Sequence, residues 1–178
     1  MRAFEVLTVL ALLAVVGCDE RTPAKATTAP QSSGFETDEP TSGPSVFLRG
    51  RVEAPHLVLD LVASGATNEI HGAAFRLSWD PDKLAFVEAH GSHAWSKQSV
   101  QLAKEASPGE LLVVWTEKGA VTAIPAGNET ILGSIAYTLK THEPTTVAFR
   151  PDRCTLRDAK GTPIPVSWRG GRLTGQAP

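Results

Sequence analysis

The chain has 178 residues, with 17 lysines and arginines against 19 aspartates and glutamates and a formal charge of −2. A balance this close leaves no cationic footprint for a nucleic-acid partner, whose phosphates need a clustered excess of positive charge. Two cysteines in all exclude a disulfide framework, so stability has to come from a buried apolar core.

The chain opens MRAFEVLTVLALLAVVGCDE. Arg2 gives a weak positive start, and Val6 to Val16 form an apolar run shorter than the about 20 residues that span a bilayer. Such a run fits the hydrophobic region of a secretory signal. It ends in Val15-Val16-Gly17-Cys18, which resembles the lipobox of bacterial lipoproteins. That resemblance implies a signal peptide over residues 1–17, cleavage before Cys18, and a diacylglyceryl group on the Cys18 thiol. The mature protein would be palmitate-bearing and held at the bacterial cell envelope. Each buried methylene contributes about 0.8 kcal/mol, so several acyl chains on one residue anchor firmly. Asp19 follows; an aspartate there marks inner-membrane retention in some enteric bacteria and not in other lineages. Inner and outer membrane both stay open.

Residues 18–45 combine the lipidated cysteine with a segment rich in Thr, Pro, Ser and Gly. A composition of this kind cannot bury enough apolar surface to offset its ordering entropy, which predicts a disordered tether. Residues 46–178 are the size of one domain. Cys154 is its only cysteine, and with Cys18 lipidated no intrachain disulfide can form. Cys154 reads as a buried small hydrophobe.

Within the domain, helical periodicity is nearly absent and period-two alternation recurs. "HLVLDLV" puts Leu57, Leu59 and Leu61 on one face. "AAFRLSW" puts Phe75, Leu77 and Trp79 inward with Ala74, Arg76 and Ser78 opposite. "LLVVW" (Leu111 to Trp115) is continuously apolar, as a central strand or one exposing valines to a partner would be. "ILGSIAYTLK" sets Ile131, Ile135, Tyr137 and Leu139 against Ser134, Thr138 and Lys140. Turn signals separate the runs: Ala63-Ser64-Gly65, Asp80-Pro81-Asp82, Ser107-Pro108-Gly109, Glu117-Lys118-Gly119 and Asp158 to Gly161. Pro163 and Pro165 cannot donate to a ladder, so the last strand should begin at an edge or after a bulge. Many short strands with regular turns predict an all-β, antiparallel sandwich.

The stretch "FRLSWDPDKLAF" (Phe75 to Phe86) is the sharpest motif. Asp80-Pro81-Asp82-Lys83 is a turn whose proline fixes φ and whose first carboxylate can accept from the following amides. A strand ending in aromatic-Asp-Pro-x-x-Leu, followed at once by another strand, resembles the cohesin modules of cellulosomal scaffold proteins and their carbohydrate-binding-module relatives. The order continues through "LLVVWTEKG", "TILGSIAYTLK" and a closing strand between Ile164 and Leu173, covering essentially Val46 to Thr174. The resemblance implies a nine-stranded jelly-roll-like sandwich whose flat sheet face binds a dockerin, a small helical module carrying calcium. By that resemblance Glu117 matches an acidic position that contributes to dockerin binding, with Gly119 in the loop beside it, and the partner-binding face takes in Gly72, Ala74, Arg76 and Ser78 before the corner with Val114 and Thr116 on the apolar strand. Outward Val114 beside Thr116, Glu117 and Arg76 would give an apolar centre with a polar rim. Type I cohesins tend to carry polar side chains where this chain has Gly72 and Ala74, which points to another dockerin type or a different ligand on that face.

Other chemistries find little support. Asp80 and Asp82 share one solvated turn, and no hydrolase, zinc-protease or phosphate-loop motif occurs, so no catalytic residue is assigned. Glu88, His90 and His93 lie close in sequence but lack the ligand set of a metal site; no metal or cofactor is expected. Direct sugar binding would need exposed planar rings, for which Trp95 and Trp168 are the candidates. A carbohydrate-binding module, or a structural envelope lipoprotein of a secretion or pilus assembly, are the alternatives to protein capture.

Overall fold

The computed structural model describes residues 34–67, 69–119, 124–125 and 128–175. The signal peptide, the lipidation at Cys18 and most of the tether lie outside them. Among the described residues thirteen strands form two sheets: β1 (Phe35–Thr37), β2 (Ser45–Glu53), β3 (His56–Ser64), β4 (Gly72–Trp79), β5 (Leu84–Gly91), β6 (Val100–Ser107), β7 (Glu110–Thr116), β8 (Glu129–Leu139), β9 (Thr145–Phe149), β10 (Thr155–Arg157), β11 (Pro163–Ile164), β12 (Ser167–Arg169) and β13 (Gly171–Leu173). One sheet of eight runs β1-β13-β9-β4-β10-β11, with β7 on the other edge of β4 and β6 outside it. The other, of five, runs β12-β2-β3-β8-β5. The expected all-β sandwich is present. Its strand count exceeds nine because pieces of two or three residues frame the longer strands.

Period two builds the core. Leu57, Leu59 and Leu61 from one sheet meet Phe75, Leu77, Leu111, Val113 and Trp115 from the other, all fully buried. Phe75 meets Trp115 edge-on at 5.5 Å, and Trp79 meets Tyr137 edge-on at 5.1 Å. Such pairs add about 0.5–1.5 kcal/mol beyond the area they bury.

One element departs from its alternation. The β3–β8 register shifts between Leu61 and Val62, so β8 accommodates one extra residue. Beyond that bulge the faces swap: Leu132 is buried, and Ile131, expected inside, is 44% exposed. A bulge inserts one residue and re-aims every side chain beyond it.

The turns behave as their chemistry dictates. The Asp80 carboxylate accepts the Asp82 amide at 3.0 Å, and its carbonyl accepts those of Lys83 and Leu84 at 3.1 and 3.0 Å. Gly109 sits at φ +79°, where a Cβ would lie 2.6 Å from the Trp79 carbonyl oxygen, so the β6–β7 turn requires glycine.

The domain starts earlier than expected. Phe35–Thr37 pairs antiparallel with Gly171–Leu173, and the Phe35 ring is buried against Gly50 and Gly171. A single aromatic over two glycines gives this part of the tether the apolar burial its composition lacks. The expected closing strand is three pieces. β11 lies at the sheet edge, as its proline requires. β12 runs parallel to β2 in the smaller sheet, and β13 crosses to the larger.

Candidate functional site: the outward face of the larger sheet

Alternate residues of β6, β7, β4 and β10 point away from the core, and the registers set them in rows. One row runs Val100, Thr116, Gly72, Arg157; the next runs Leu102, Val114, Ala74, Thr155; a third runs Lys104, Leu112, Arg76. Gly72 and Ala74 have almost no side chain, so the sheet dips there. The result is a shallow apolar depression of about 200 Å³ floored by Gly72, Ala74, Val114 and Thr116 and bordered by Thr155 and Arg157. Small-molecule sites usually span roughly 300–1,000 Å³ and enclose their ligand. A dish of this size and openness suits a side chain presented by another protein. Val100 and Leu102 extend the apolar surface onto edge strand β6, 49% and 48% exposed.

From the third row on the face becomes ionic. Arg76 Nη1 lies 2.7 Å from Glu110 Oε1, and Arg150 Nη1 lies 3.4 Å from the same oxygen. The Arg76 hydrogen bond, reinforced by both guanidinium charges, holds the Glu110 carboxyl below the ordinary glutamate range. Ser78, in the next row, donates to the Ala148 carbonyl at 3.4 Å. Cys154 lies beneath this corner, half-buried and packed on the core. Its thiol donates to the Arg150 carbonyl at 3.0 Å, and burial pushes its pKa up.

Six of the eight face residues expected from the sequence, Gly72, Ala74, Arg76, Ser78, Val114 and Thr116, lie on one surface. Glu117 does not. It is 4% exposed and accepts from the Ser96 amide at 2.7 Å and the Ser96 hydroxyl at 2.5 Å. The reason is parity: positions 111, 113 and 115 point inward, and 117 continues that series. Gly119 lies past the strand end at φ +78°, its carbonyl accepting from His71 Nε2 at 3.0 Å.

The aromatic platforms fare worse. Trp95 is 5% exposed and donates from Nε1 to the Leu132 carbonyl at 2.6 Å, so it plugs one end of the sandwich. Trp168 is half-buried against Phe149 and Phe75, with ring centroids 5.0 and 6.2 Å away. Among the described residues no group of three or more His, Cys, Asp or Glu side chains could hold a metal; His90 pairs with Glu88 at 3.0 Å. The polar hollow at the Asp80 corner is pinned by Lys83, which donates to the Pro144 carbonyl at 3.0 Å.

Sequence reasoning missed Val100, Leu102, Thr155 and Arg157. The alternation of Val100, Leu102 and Lys104 with Gln101, Ala103 and Glu105 was a usable signal for the first two. Strand β10 spans three residues and carries no period.

No family model and no curated protein matches the chain. Solved structures do. The sixth cohesin of Acetivibrio cellulolyticus scaffoldin B, in complex with a mutant Cel5 dockerin, superposes with a TM-score of 0.65 at 16% identity, covering 76% of this chain and 100% of that one. A cohesin module from a Clostridium perfringens family 33 glycoside hydrolase gives 0.60 at 13%, over 76% and 97%. A type II cohesin domain from the Acetivibrio cellulolyticus cellulosome gives 0.58 at 16%, over 74% and 95%. The two sheets define an all-β sandwich whose distinguishing surface is a gently dished sheet face. Its fold is that of the cohesins.

Proposed function

We propose that this chain is a non-catalytic binding module that holds a dockerin-like protein partner on the outward face of β6, β7, β4 and β10, and that lipidated Cys18 keeps it at the cell envelope. The observation that carries the reading is the apolar dish around Gly72, Ala74 and Val114, on a fold one of whose solved neighbours is in complex with a dockerin. The chemistry of the face agrees: an apolar centre grades into a charged rim, the layout of a protein interface. Calcium would reside on the partner, since a calcium-loop module loses its fold without its metal. A link to polysaccharide breakdown rests on the glycoside hydrolase that carries one neighbouring cohesin. Direct sugar stacking has no warrant at Trp95 or Trp168.

The test is capture by residues 31–178 from the source organism's lysate and secreted fraction, in calcium and in chelator. The expected result is a partner with paired calcium-loop repeats, held in calcium, released by chelator and lost with Val114→Asp. Capture unaffected by Val114→Asp would remove the assigned face. For the anchor, Cys18→Ser should move the protein from the membrane to the soluble fraction and abolish palmitate labelling.

A further inference from the structure

The charges around the dish are one-sided. On the outward positions of β6, β7, β4 and β10, with Arg150 just past β9, the cations are Lys104, Arg76, Arg150 and Arg157. The outward strand positions themselves carry one carboxylate, Glu110, engaged by Arg76 and Arg150 together; past the strand ends Asp152 pairs with Arg153, and the Asp158 carboxylate accepts from the Lys160 and Thr162 amides. Among the described residues neither Lys104 nor Arg157 has a carboxylate within ion-pair distance. Arg157 instead donates to the Gly161 carbonyl at 2.9 Å.

Position matters as much as sign. Arg157 ends the first row, while Lys104 and Arg76 sit in the third, and the apolar row of Leu102, Val114, Ala74 and Thr155 lies between. Four residues of strand separate the outer rows, about 13 Å at 3.3–3.4 Å per residue. An α-helix with its side chains is about 10–12 Å across. The middle row crosses four strands, about 14 Å, enough to seat roughly nine helical residues at 1.5 Å each. A helix laid along it would press its apolar stripe into the dish and hold its two flanks beneath cations.

We infer that the partner is selected by charge: a helix with a small apolar stripe flanked on both sides by aspartate or glutamate, Arg157 reading one flank and Lys104 with Arg76 the other. This rests on the outward face being the binding surface, as proposed above. Charge complementarity of this kind sets orientation and rejects wrong partners, because like charges brought together cost several kcal/mol.

The test uses the Cel5 dockerin module displayed on yeast in calcium, with the exposed positions of its helices randomised, and residues 31–178 as bait. The expected binders carry acidic residues on both sides of an apolar stripe. Each should weaken by at least about tenfold with Arg157→Glu or Lys104→Glu, which corresponds to about 1.4 kcal/mol, while the thermal melt of either variant is unchanged. Binders that are lost with Val114→Asp but carry neutral or basic flanks, and are indifferent to Arg157→Glu, would overturn this inference and leave the face standing. If no binder is sensitive to Val114→Asp, the face itself fails and the charge rule fails with it.

Discussion

Glu110 is held by two guanidinium groups, and its carboxyl titrates below the ordinary glutamate value of 4.5 chiefly because Arg76 donates to it. A carboxyl whose folded pKa is depressed contributes stability that is fully present above its unfolded pKa. That stability is lost as pH falls through the folded value. The protein should therefore lose part of its stability on acidification below about pH 4.5, and Glu110→Gln should lower the melting temperature at pH 7 and flatten that acid limb. An unchanged limb in the variant would show that the pair is too solvated to matter. Tyr137 presents the opposite case. Its hydroxyl is buried with no hydrogen-bond partner among the described residues, and burial drives its pKa far upward. An unpaired buried hydroxyl costs about 1–3 kcal/mol, so Tyr137→Phe should raise stability by about 1 kcal/mol in urea unfolding. A fall would mean the hydroxyl is satisfied.

At the scale of elements, the loop between β5 and β6 is closed by one residue that follows another strand. Glu117, just past β7, accepts both the amide and the hydroxyl of Ser96, next to the buried Trp95. Hydrogen bonds to a charged group contribute about 1.5–3 kcal/mol. Glu117→Ala should cost about 2 kcal/mol and strip hydrogen-exchange protection from the Ser96 amide before the sheets lose theirs. Protection that survives would show that Trp95 alone holds the loop. The same residue shows what the sequence could and could not display. Strands β3, β4 and β7 were legible because a long strand repeats its inward residues, and the Asp80 corner was legible because a turn is local chemistry. Glu117 was legible too, by the parity of Leu111, Val113 and Trp115, but the family resemblance placed it outward. Ile131 was not, because a bulge depends on the partner strand. Neither was the row that joins Leu102 to Val114, Ala74 and Thr155, since register between strands far apart in sequence leaves no periodic trace.

At the scale of the molecule, both ends of the domain are tied into one sheet. Phe35–Thr37 pairs with Gly171–Leu173, which pairs in turn with β9, and the Phe35 ring is 6% exposed. A chain begun at Ser45 would lose that strand, bare Val52 and Leu173, and leave Gly50 and Gly171 uncovered. Burying a phenylalanine contributes about 1.5–3 kcal/mol, so this truncation should cost about 2–3 kcal/mol against residues 31–178, measured by urea unfolding. The sheet order also predicts what truncation should spare. β1 stands at one edge and β6 at the other, with β13, β9, β4 and β7 between, so the dish around Gly72 and Val114 is several strands away. Partner affinity at a temperature where both forms are folded should then be unchanged. If it falls together with stability, the edge strand and the binding face are coupled through the twist of the shared sheet, and any protein used to measure that face has to include Phe35.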